Sequence, residues 1–421
     1  MRYTGEFRRR RLPAPVLAGT CAVALLAGAV ATGIAGRPPA AAAGAEVVTR
    51  PASGVWVAEG GGFGHGRGMS QWGARAAALR GRTAEQIVAF YYPRTVRKAV
   101  GNPTVRVRVG TDPELVVSPS PGLRVSWRGG RLVLPARAQV RRWKVGAYAA
   151  GLRLAYHAGH GWRWWGPRLP AAVTVVSSRP VRRVHWRDRT ATDYRGTLAV
   201  SRSGRRVLVV DRLPMESYLA GVVPRESPAS WPMQALRAQA IAARTYAYAA
   251  VRSPRSARYD LCDSTACQVY GGAARLRPDG TRLFGERRRT TAAVASTAGV
   301  VLLSGRRPAT TEYSASNGGW SAPGGRPYLV GRRDPYRAGD PYLSWRVRVS
   351  VADLGRKFGF SRLDRLRVLR RDGHGAWGGR LLEVELTGLD GAGKPRAVTV
   401  GGGRLRRALG LRSTYFRLRA G

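Results

Sequence analysis

Residues 232–246 read Pro232-Met233-Gln234-Ala235-Leu236-Arg237-Ala238-Gln239-Ala240-Ile241-Ala242-Ala243-Arg244-Thr245-Tyr246, a pattern that predicts a long helix. Proline is favoured at the start of a helix, so Pro232 predicts where a long helix opens. One face of that helix carries small or apolar residues at helical spacing, namely Leu236, Ala240, Ala243 and Ala247. Because alanine side chains let neighbouring elements approach closely, we expect this helix to be buried.

The segment before this helix carries an acidic residue. Pro214 predicts the start of a shorter helix that runs to about Gly221. A loop over residues 222–231 then connects the two helices and holds Glu226. The residues alone leave two interpretations of Glu226: a catalytic acid, or an ordinary loop acid that is favourable near a helix N-terminus.

The rest of the chain mixes strands with short helices. Residues 104–210 contain short runs of alternating or β-branched residues separated by turn signals, which predicts antiparallel sheet. Before them, a glycine-rich run over residues 60–68 leads to Ser70, a favourable N-cap for an Ala-rich helix. The predicted fold class is α+β, with mixed, largely antiparallel sheets and a buried Ala-rich helix next to the loop that carries Glu226.

These patterns divide the 421 residues into four segments. We expect a signal peptide over residues 1–45, a glycine-rich block with short helices over 46–100, a β-rich domain over 101–192, and a mixed core over 193–421. Hydrophobic residues make up 44% of the chain, which is enough to bury a core and excludes global disorder.

The first 45 residues have the pattern of a secretory signal. Four arginines precede an uncharged run rich in Ala, Leu and Val, and a small-residue stretch follows, with cleavage expected after Ala43 or Ala45. The alternative is an uncleaved membrane anchor, since the apolar run is long enough. In either case we expect the remainder of the chain to lie outside the cytoplasm, secreted or associated with the cell wall.

The charge points to a polyanionic partner. The chain carries 72 Lys plus Arg against 24 Asp plus Glu, a formal charge of +48. Such a charge attracts polyanions through Coulomb forces and counterion release, which suits either nucleic acid or an anionic cell-wall polymer. Export counts against nucleic acid, so anionic wall polymers are the expected partner.

Two cysteines remain once the first 45 residues are set aside, Cys262 and Cys267. A short-range pair in an exported protein predicts a disulfide that constrains a loop. A zinc site would need about two further ligands, and the nearest histidines in the sequence are His185 and His374. We therefore expect neither a metal nor another cofactor.

Five blocks follow one another in the second half of the chain: residues 214–226, 230–246, 265–272, 313–319 and 409–416. From about Tyr194 to the C-terminus, they closely resemble the SpoIID/LytB family of stage II sporulation protein D and amidase enhancers. Some relatives bind zinc near Cys262 and Cys267, but Ala266 stands where a histidine would be needed, so that site is not carried over.

One family block is displaced. Residues 64–71, Gly64-His65-Gly66-Arg67-Gly68-Met69-Ser70-Gln71, resemble a block that usually follows the Leu-Arg-Ser tail near the C-terminus. Here it lies near the N-terminus. We expect it to pack beside the core as in a circular permutation, which requires the two ends of the fold to lie close together.

The resemblance implies action on peptidoglycan. Sporulation members are lytic transglycosylases that cleave the MurNAc–GlcNAc bond of strands stripped of stem peptides, and the family's catalytic Glu falls on Glu226. One carboxyl group can suffice, because the sugar's own C6 hydroxyl replaces water as nucleophile. The acid must then stay protonated near neutral pH, so burial has to outweigh the positive field of the chain. The alternative is a non-catalytic wall-binding module that enhances an amidase, which would then be a further partner.

Polar residues of the family blocks are candidate contacts for sugar hydroxyl and acetamido groups: His65, Gln268, Tyr270, Tyr313, Ser314, Ser316 and Asn317. Such residues are equally common as turn formers. Gln239 and Arg244 are expected to brace the loop that carries Glu226. Glu216 is expected to serve the helix dipole rather than the chemistry.

Overall fold

The computed structural model describes residues 46–137, 139–185, 187–254 and 256–421, so the predicted signal segment lies outside the described residues. Within these ranges one short 3-10 helix spans Ala376–Gly378, and there are seven α-helices: α1 Gln71–Leu79, α2 Ala84–Tyr91, α3 Met215–Glu226, α4 Met233–Arg252, α5 Arg288–Ala295, α6 Val351–Lys357 and α7 Gly402–Ala408. No helix in this part of the chain is both long and apolar enough to cross a membrane.

Short strands are the commoner element. In chain order the described strands are β1 Val47–Thr49, β2 Val55–Gly60, β3 Met69–Ser70, β4 Val96–Ala99, β5 Thr104–Asp112, β6 Glu114–Val117, β7 Arg124–Trp127, β8 Gly130–Val133, β9 Arg142–Tyr148, β10 Gly151–His157, β11 Trp162–Leu169, β12 Ala172–Val176, β13 Val181–Val184, β14 Ala191–Tyr194, β15 Thr197–Ser203, β16 Arg206–Pro214, β17 Leu261–Cys262, β18 Ala274–Leu276, β19 Arg282–Gly285, β20 Val300–Ser304, β21 Arg307–Pro308, β22 Tyr313–Ser314, β23 Trp320–Ser321, β24 Arg332–Arg333, β25 Trp345–Ser350, β26 Arg362–Arg371, β27 Leu381–Leu389, β28 Pro395–Gly401 and β29 Phe416–Ala420.

Two large sheets carry most of these strands. One has the order β11-β10-β9-β6-β13-β14-β18-β19 and the other β17-β5-β16-β15-β12-β7-β8. Nearly all neighbours are antiparallel, and β17 beside β5 is a parallel exception. Inward side chains of both sheets form one apolar core with α3 and α4. The α+β prediction with largely antiparallel sheets is confirmed.

Strands from both sides of residue 193 share one sheet. β5 pairs with β16 over most of its length, and β12 pairs with β15. The segment predicted as a β-rich domain over residues 101–192 and the segment that follows it are thus hydrogen-bonded to each other along whole strands.

Helix α4 lies where the alanine pattern placed it. It begins after Pro232, and its alanines from Ala235 to Ala247 are almost all buried. Helices α1, α2, α3 and α5 pack around it. The small side chains allow this close packing from several sides, so the predicted buried helix is confirmed.

Helix α3 is longer than predicted. It continues past Gly221 and ends at Glu226, with Pro224 inside its last turn. Residues 222–226 were predicted to lie in a loop, and Pro224 does remove one backbone donor from the helix. Val222 and Val223 are fully buried, and their packing holds the helical turn despite the lost bond. Glu226 is therefore the last residue of a helix, and the loop prediction for its position was wrong.

The displaced N-terminal block packs against the C-terminal tail. Strand β2 lies between β25 and β29, and Gly60 pairs with Phe416. The amide of Gly64 donates to the carbonyl of Arg412 over 3.0 Å, and the Ser413 hydroxyl donates to the carbonyl of Gly61 over 2.6 Å. The block therefore lies beside the segment that it usually follows in the family, as a circular permutation requires.

Candidate functional site

The carboxyl group of Glu226 receives hydrogen bonds from three separate parts of the chain. The backbone N–H of Val269 donates to Oε1 over 3.0 Å, and Nε2 of Gln71 donates to Oε2 over 3.1 Å. The hydroxyl of Tyr313 also bonds to this carboxyl group. The end of α3, the start of α1 and two later blocks therefore meet at one acid.

Burial dominates the electrostatics of this acid. It raises the pKa of Glu226 above the ordinary value of 4.5, against the bonds from Val269, Gln71 and Tyr313 and the charge of Arg225, which all lower it. The neutral form is favoured because a half-buried carboxylate loses much of its hydration. The local environment thus outweighs the positive field of the chain.

Gln71 reaches Glu226 because the glycine-rich block seats α1. Strand β3 runs parallel to β22, and the side chain of Ser70 accepts the N–H of Gly73 as the helix N-cap. Gly68 has φ +63°, and a Cβ there would lie 2.0 Å from the carbonyl oxygen of Glu312. Any other residue would push the block away from β22 and move Gln71 with it.

The two predicted braces act at different ends of α3. Gln239 accepts from Nε2 of Gln71 over 3.4 Å and lies 3.5 Å from the Ser227 hydroxyl, directly behind Glu226. The buried guanidinium of Arg244 instead forms two hydrogen bonds of 2.7 and 2.8 Å with Glu216 in the first turn of α3. Arg244 thus holds the helix rather than the segment around Glu226.

Tyr313 and Gln268 form a chain that ends at Glu226. Nε2 of Gln268 donates to the Tyr313 hydroxyl over 2.9 Å, and its Oε1 accepts from the Tyr218 hydroxyl over 3.1 Å. Gln268 had been predicted to contact a sugar. It is fully buried and orients Tyr313 instead. Among the seven predicted sugar contacts, Tyr313 is the one that the structure brings to Glu226.

Tyr270 lies in the core. Its hydroxyl donates to Oδ2 of Asp211 over 2.7 Å, and both side chains are buried. Burial raises the pKa of Asp211 to about 7, and its Oδ1 has no hydrogen-bond partner. The predicted sugar contact at Tyr270 is therefore corrected, because its polar atom already serves a buried carboxyl group.

Three further predicted contacts already bond to other parts of the protein, and one of them, Ser314, bonds to the glycine-rich block. The Ser316 hydroxyl donates to Asp340 over 2.6 Å, Nδ2 of Asn317 donates to Asp334 over 2.7 Å, and the Ser314 hydroxyl accepts the N–H of Gly66 over 3.2 Å. The three side chains are buried. They are corrected from sugar contacts to structural turn and packing residues.

His65 does not join Glu226. Its Nδ1 accepts the N–H of Arg67 over 3.0 Å, and its ring bonds to the backbone of Tyr313. Burial and the charges of Arg67 and Arg380 lower its pKa to about 3, so the ring is neutral. His65 lines a separate cavity that shares no lining residue with the contacts of Glu226.

Cys262 and Cys267 form a disulfide with a Cα–Cα distance of 5.5 Å. It closes the turn that precedes Gln268 and Val269, and so supports the segment that donates to Glu226. Within the described ranges no group of three or more His, Cys, Asp or Glu side chains is arranged to hold a metal ion.

Sequence reasoning missed two partners of Glu226. Gln71 belongs to the block over residues 64–71, but it was not predicted as a site residue. Its position directly after the helix N-cap could have indicated this role. The backbone N–H of Val269 leaves no signature in the residue types. Nearby, Trp72 packs on Trp231 with ring centroids 5.0 Å apart, so an aromatic pair accompanies the acid.

A small cavity lies beside the segment that donates to Glu226. Val269 and Arg225 line this cavity of about 150 Å³ with Asp263 and Phe284. Its volume is below the range of sites that enclose whole ligands. Glu226 is not among its lining residues, and neither are Gln71 and Tyr313.

Comparison with known proteins agrees with the motifs. A family model described as Stage II sporulation protein, SpoIID, matches residues 203–303, which include α3, α4 and Val269. The amidase enhancer of Bacillus subtilis (strain 168) is 34% identical over 145 residues, covering 33% of this chain and 18% of that protein. Stage II sporulation protein D of the same organism is 30% identical over 163 residues, covering 36% of this chain and 47% of that protein.

These matches confirm the resemblance of this region to the SpoIID/LytB family. The chain spans less than half the length of each of these two relatives. The matched region contains Glu226 and its helix, whereas the glycine-rich block that supplies Gln71 lies outside the family-model match.

Proposed function

We propose that this protein is an exported lytic transglycosylase that cleaves glycan strands of peptidoglycan, with Glu226 as its single acid and base. One observation carries the proposal: a half-buried carboxyl group with a raised pKa lies at the end of α3, held by Val269, Gln71 and Tyr313. A carboxyl group in such an environment is suited to general acid catalysis near neutral pH.

The proposed reaction needs one carboxyl group. Protonated Glu226 gives its proton to the glycosidic oxygen as the bond to C1 of MurNAc breaks. The C6 hydroxyl of the same sugar attacks C1 and passes its proton to the Glu226 carboxylate, which restores the acid and leaves a 1,6-anhydro ring. Tyr313 and Gln71 hold the carboxyl group in one orientation through both proton transfers.

The charge and the first 45 residues support an extracytoplasmic setting. The formal charge of +48 would hold the protein on anionic wall polymers through Coulomb attraction, in competition with salt.

A second candidate is a wall-binding amidase enhancer without catalytic activity. The name of the relative that is 34% identical to this chain, an amidase enhancer, favours it. In that case the protein binds glycan and an amidase, and the raised pKa of Glu226 has no catalytic purpose.

Mass analysis of products tests the proposal. The secreted protein is incubated with purified glycan strands that either carry or lack stem peptides. We expect fragments with 1,6-anhydro-MurNAc ends, more abundant from the peptide-free strands. Fragments one water heavier, with reducing ends, would indicate hydrolysis, for which a second carboxyl group such as Asp263 would be required. The absence of any fragment, with amidase stimulation intact, would favour the enhancer.

A further inference from the structure

A second cavity, of about 440 Å³, lies beside the glycine-rich block. Its lining combines His65 and Asp372 with four arginines, Arg67, Arg380, Arg406 and Arg407. The arginines come from the N-terminal block, from the segment before β27 and from α7. Several separate parts of the fold therefore direct cationic side chains to one concave surface.

Arg380 is the key residue of this cavity. It is 4% exposed, and its Nη2 donates to the carbonyl of Asn317 over 2.9 Å. Its Nη1 is buried and has no hydrogen-bond partner, and the same is true of Nε of Arg406. Burial lowers the pKa of Arg380 to about 10, so it stays charged at neutral pH. A buried guanidinium donor without an acceptor is costly, which points to an acceptor supplied from outside the chain.

The charge of Asp372 raises the pKa of Arg380 and so partly offsets the effect of burial, but among the described residues no nearby carboxylate forms an ion pair with this guanidinium. Glu312 is ion-paired with Arg67. Oδ1 of Asp372 already accepts the backbone N–H groups of Arg380 and His374, over 3.0 and 3.1 Å. No ion pair in the described part of the chain joins a carboxylate to the guanidinium of Arg380 or Arg406.

The cavity lies on the other face of β22 from Glu226. Successive side chains of a strand point to opposite faces. Glu312 and Ser314 contact the glycine-rich block, at Arg67 and Gly66, whereas the Tyr313 hydroxyl faces Gln268 and Glu226. The cationic surface is thus separate from the surface around the acid.

We propose that this cavity is an oxyanion-binding site that takes a carboxylate or phosphate group between Arg380 and Arg406. Planar guanidinium groups match both anions through paired N–H donors. The neutral ring of His65 forms part of the wall without competing for the anion.

Two sources in the cell wall could supply such an anion, and this part of the proposal rests on the proposed function. One is a carboxylate on the glycan, such as the lactyl group of MurNAc once the stem peptide is removed. The other is the phosphodiester of an anionic wall polymer. Either would anchor the protein at a point distinct from the bond that it cleaves.

The test titrates the secreted protein with inorganic phosphate by calorimetry. We expect saturable binding that weakens at least about tenfold in Arg406→Gln and in Arg380→Met, because each loses guanidinium donors. Arg404→Gln is the matched control: it removes one charge from the same helix, but Arg404 is exposed and does not line the cavity. We expect that control to bind within about twofold of the wild type.

Nuclear magnetic resonance of the His65 ring provides a second readout. Phosphate beside Arg380 should raise the ring pKa from about 3, because it offsets charges that lower it. The inference is overturned if phosphate fails to bind, or if Arg406→Gln and Arg404→Gln weaken binding equally. Arg406 is only half-buried, so its variant keeps the test valid even if Arg380→Met fails to fold.

Competition distinguishes the two sources. Lactate models the glycan carboxylate and dimethyl phosphate models the phosphodiester, and the one that displaces phosphate at the lower concentration identifies the class of anion. Either result supports the oxyanion site, whereas displacement by neither overturns it. Binding that persists in a catalytically inactive Glu226→Gln variant separates this site from the proposed cleavage activity.

Discussion

Replacing Glu226 by glutamine is expected to lower the rate of glycan cleavage by about a thousandfold or more, because the variant keeps the shape of the side chain but cannot transfer a proton. The amide oxygen can still accept the N–H of Val269. Since burial already favours the neutral form of this side chain, the midpoint of thermal unfolding should fall by no more than about 2 °C. Release of anhydro-ended fragments and thermal unfolding are measured on the same preparation.

Glu85→Gln serves as the control for charge. Glu85 is a largely exposed acid on α2, where it pairs with Arg97 over 3.4 Å. The control should cleave glycan at the wild-type rate, since neither residue contacts Glu226. If Glu226→Gln cleaved strands as fast as Glu85→Gln, the acid–base role of Glu226 would be refuted.

The second large effect concerns the buried carboxyl group of Asp211. Its pKa of about 7 in the folded protein exceeds the ordinary 3.8, so folding favours the protonated form. The contribution of this raised pKa to the free energy of unfolding is fully present below about pH 4 and is lost as the pH rises through about 7. Asp211→Asn is neutral at every pH, so its free energy of unfolding relative to the wild type should increase by roughly 4 kcal/mol between about pH 4 and pH 8.

Denaturant unfolding at the two pH values measures this difference, and other titrating groups cancel because both proteins contain them. Tyr270→Phe is the matched variant. It removes the bond that lowers the pKa of Asp211, so its stability should depend on pH more steeply than that of the wild type. If the free energies of unfolding of Asp211→Asn and the wild type differed by the same amount at both pH values, the raised pKa of Asp211 would be contradicted.

Patterns with a local physical cause were predictable from the sequence. The start of α4 after Pro232 and the N-cap at Ser70 both lie where the residues placed them. Each depends on groups within one turn, so tertiary contacts seldom override it. Glu226 could be singled out because the family blocks surround it.

The remaining errors have a tertiary origin. Residues 222–226 were predicted as a loop, but the burial of Val222 and Val223 keeps α3 helical to Glu226. Tyr270 has the residue type of a sugar contact, yet its hydroxyl bonds to Asp211 in the core. Whether a polar side chain faces a ligand or the core depends on partners far away in the chain, which neither spacing nor composition encodes.

The displaced block shows how much depends on such distant contacts. Residues 64–71 supply Gln71 to a carboxyl group that lies 155 positions away in the chain. The glycine-rich segment also contacts the C-terminal tail, at Arg412 and Ser413. Hydrogen bonds make this contact, whereas in the usual order of the blocks the two segments are consecutive in the chain. The order of blocks in the sequence can therefore change while the geometry around Glu226 is kept.

The pKa of Glu226 itself decides whether this acid can transfer a proton as proposed. Infrared difference spectra between the wild type and Glu226→Gln, recorded as a function of pH, isolate the signal of this one carboxyl group. We expect a pKa above 4.5, and a further rise in Gln71→Leu, because Gln71 donates to the ionised form and lowers the pKa. A pKa at or below 4.5 in the wild type would show that burial does not dominate at this acid, and would contradict the environment on which the proposed proton transfer depends.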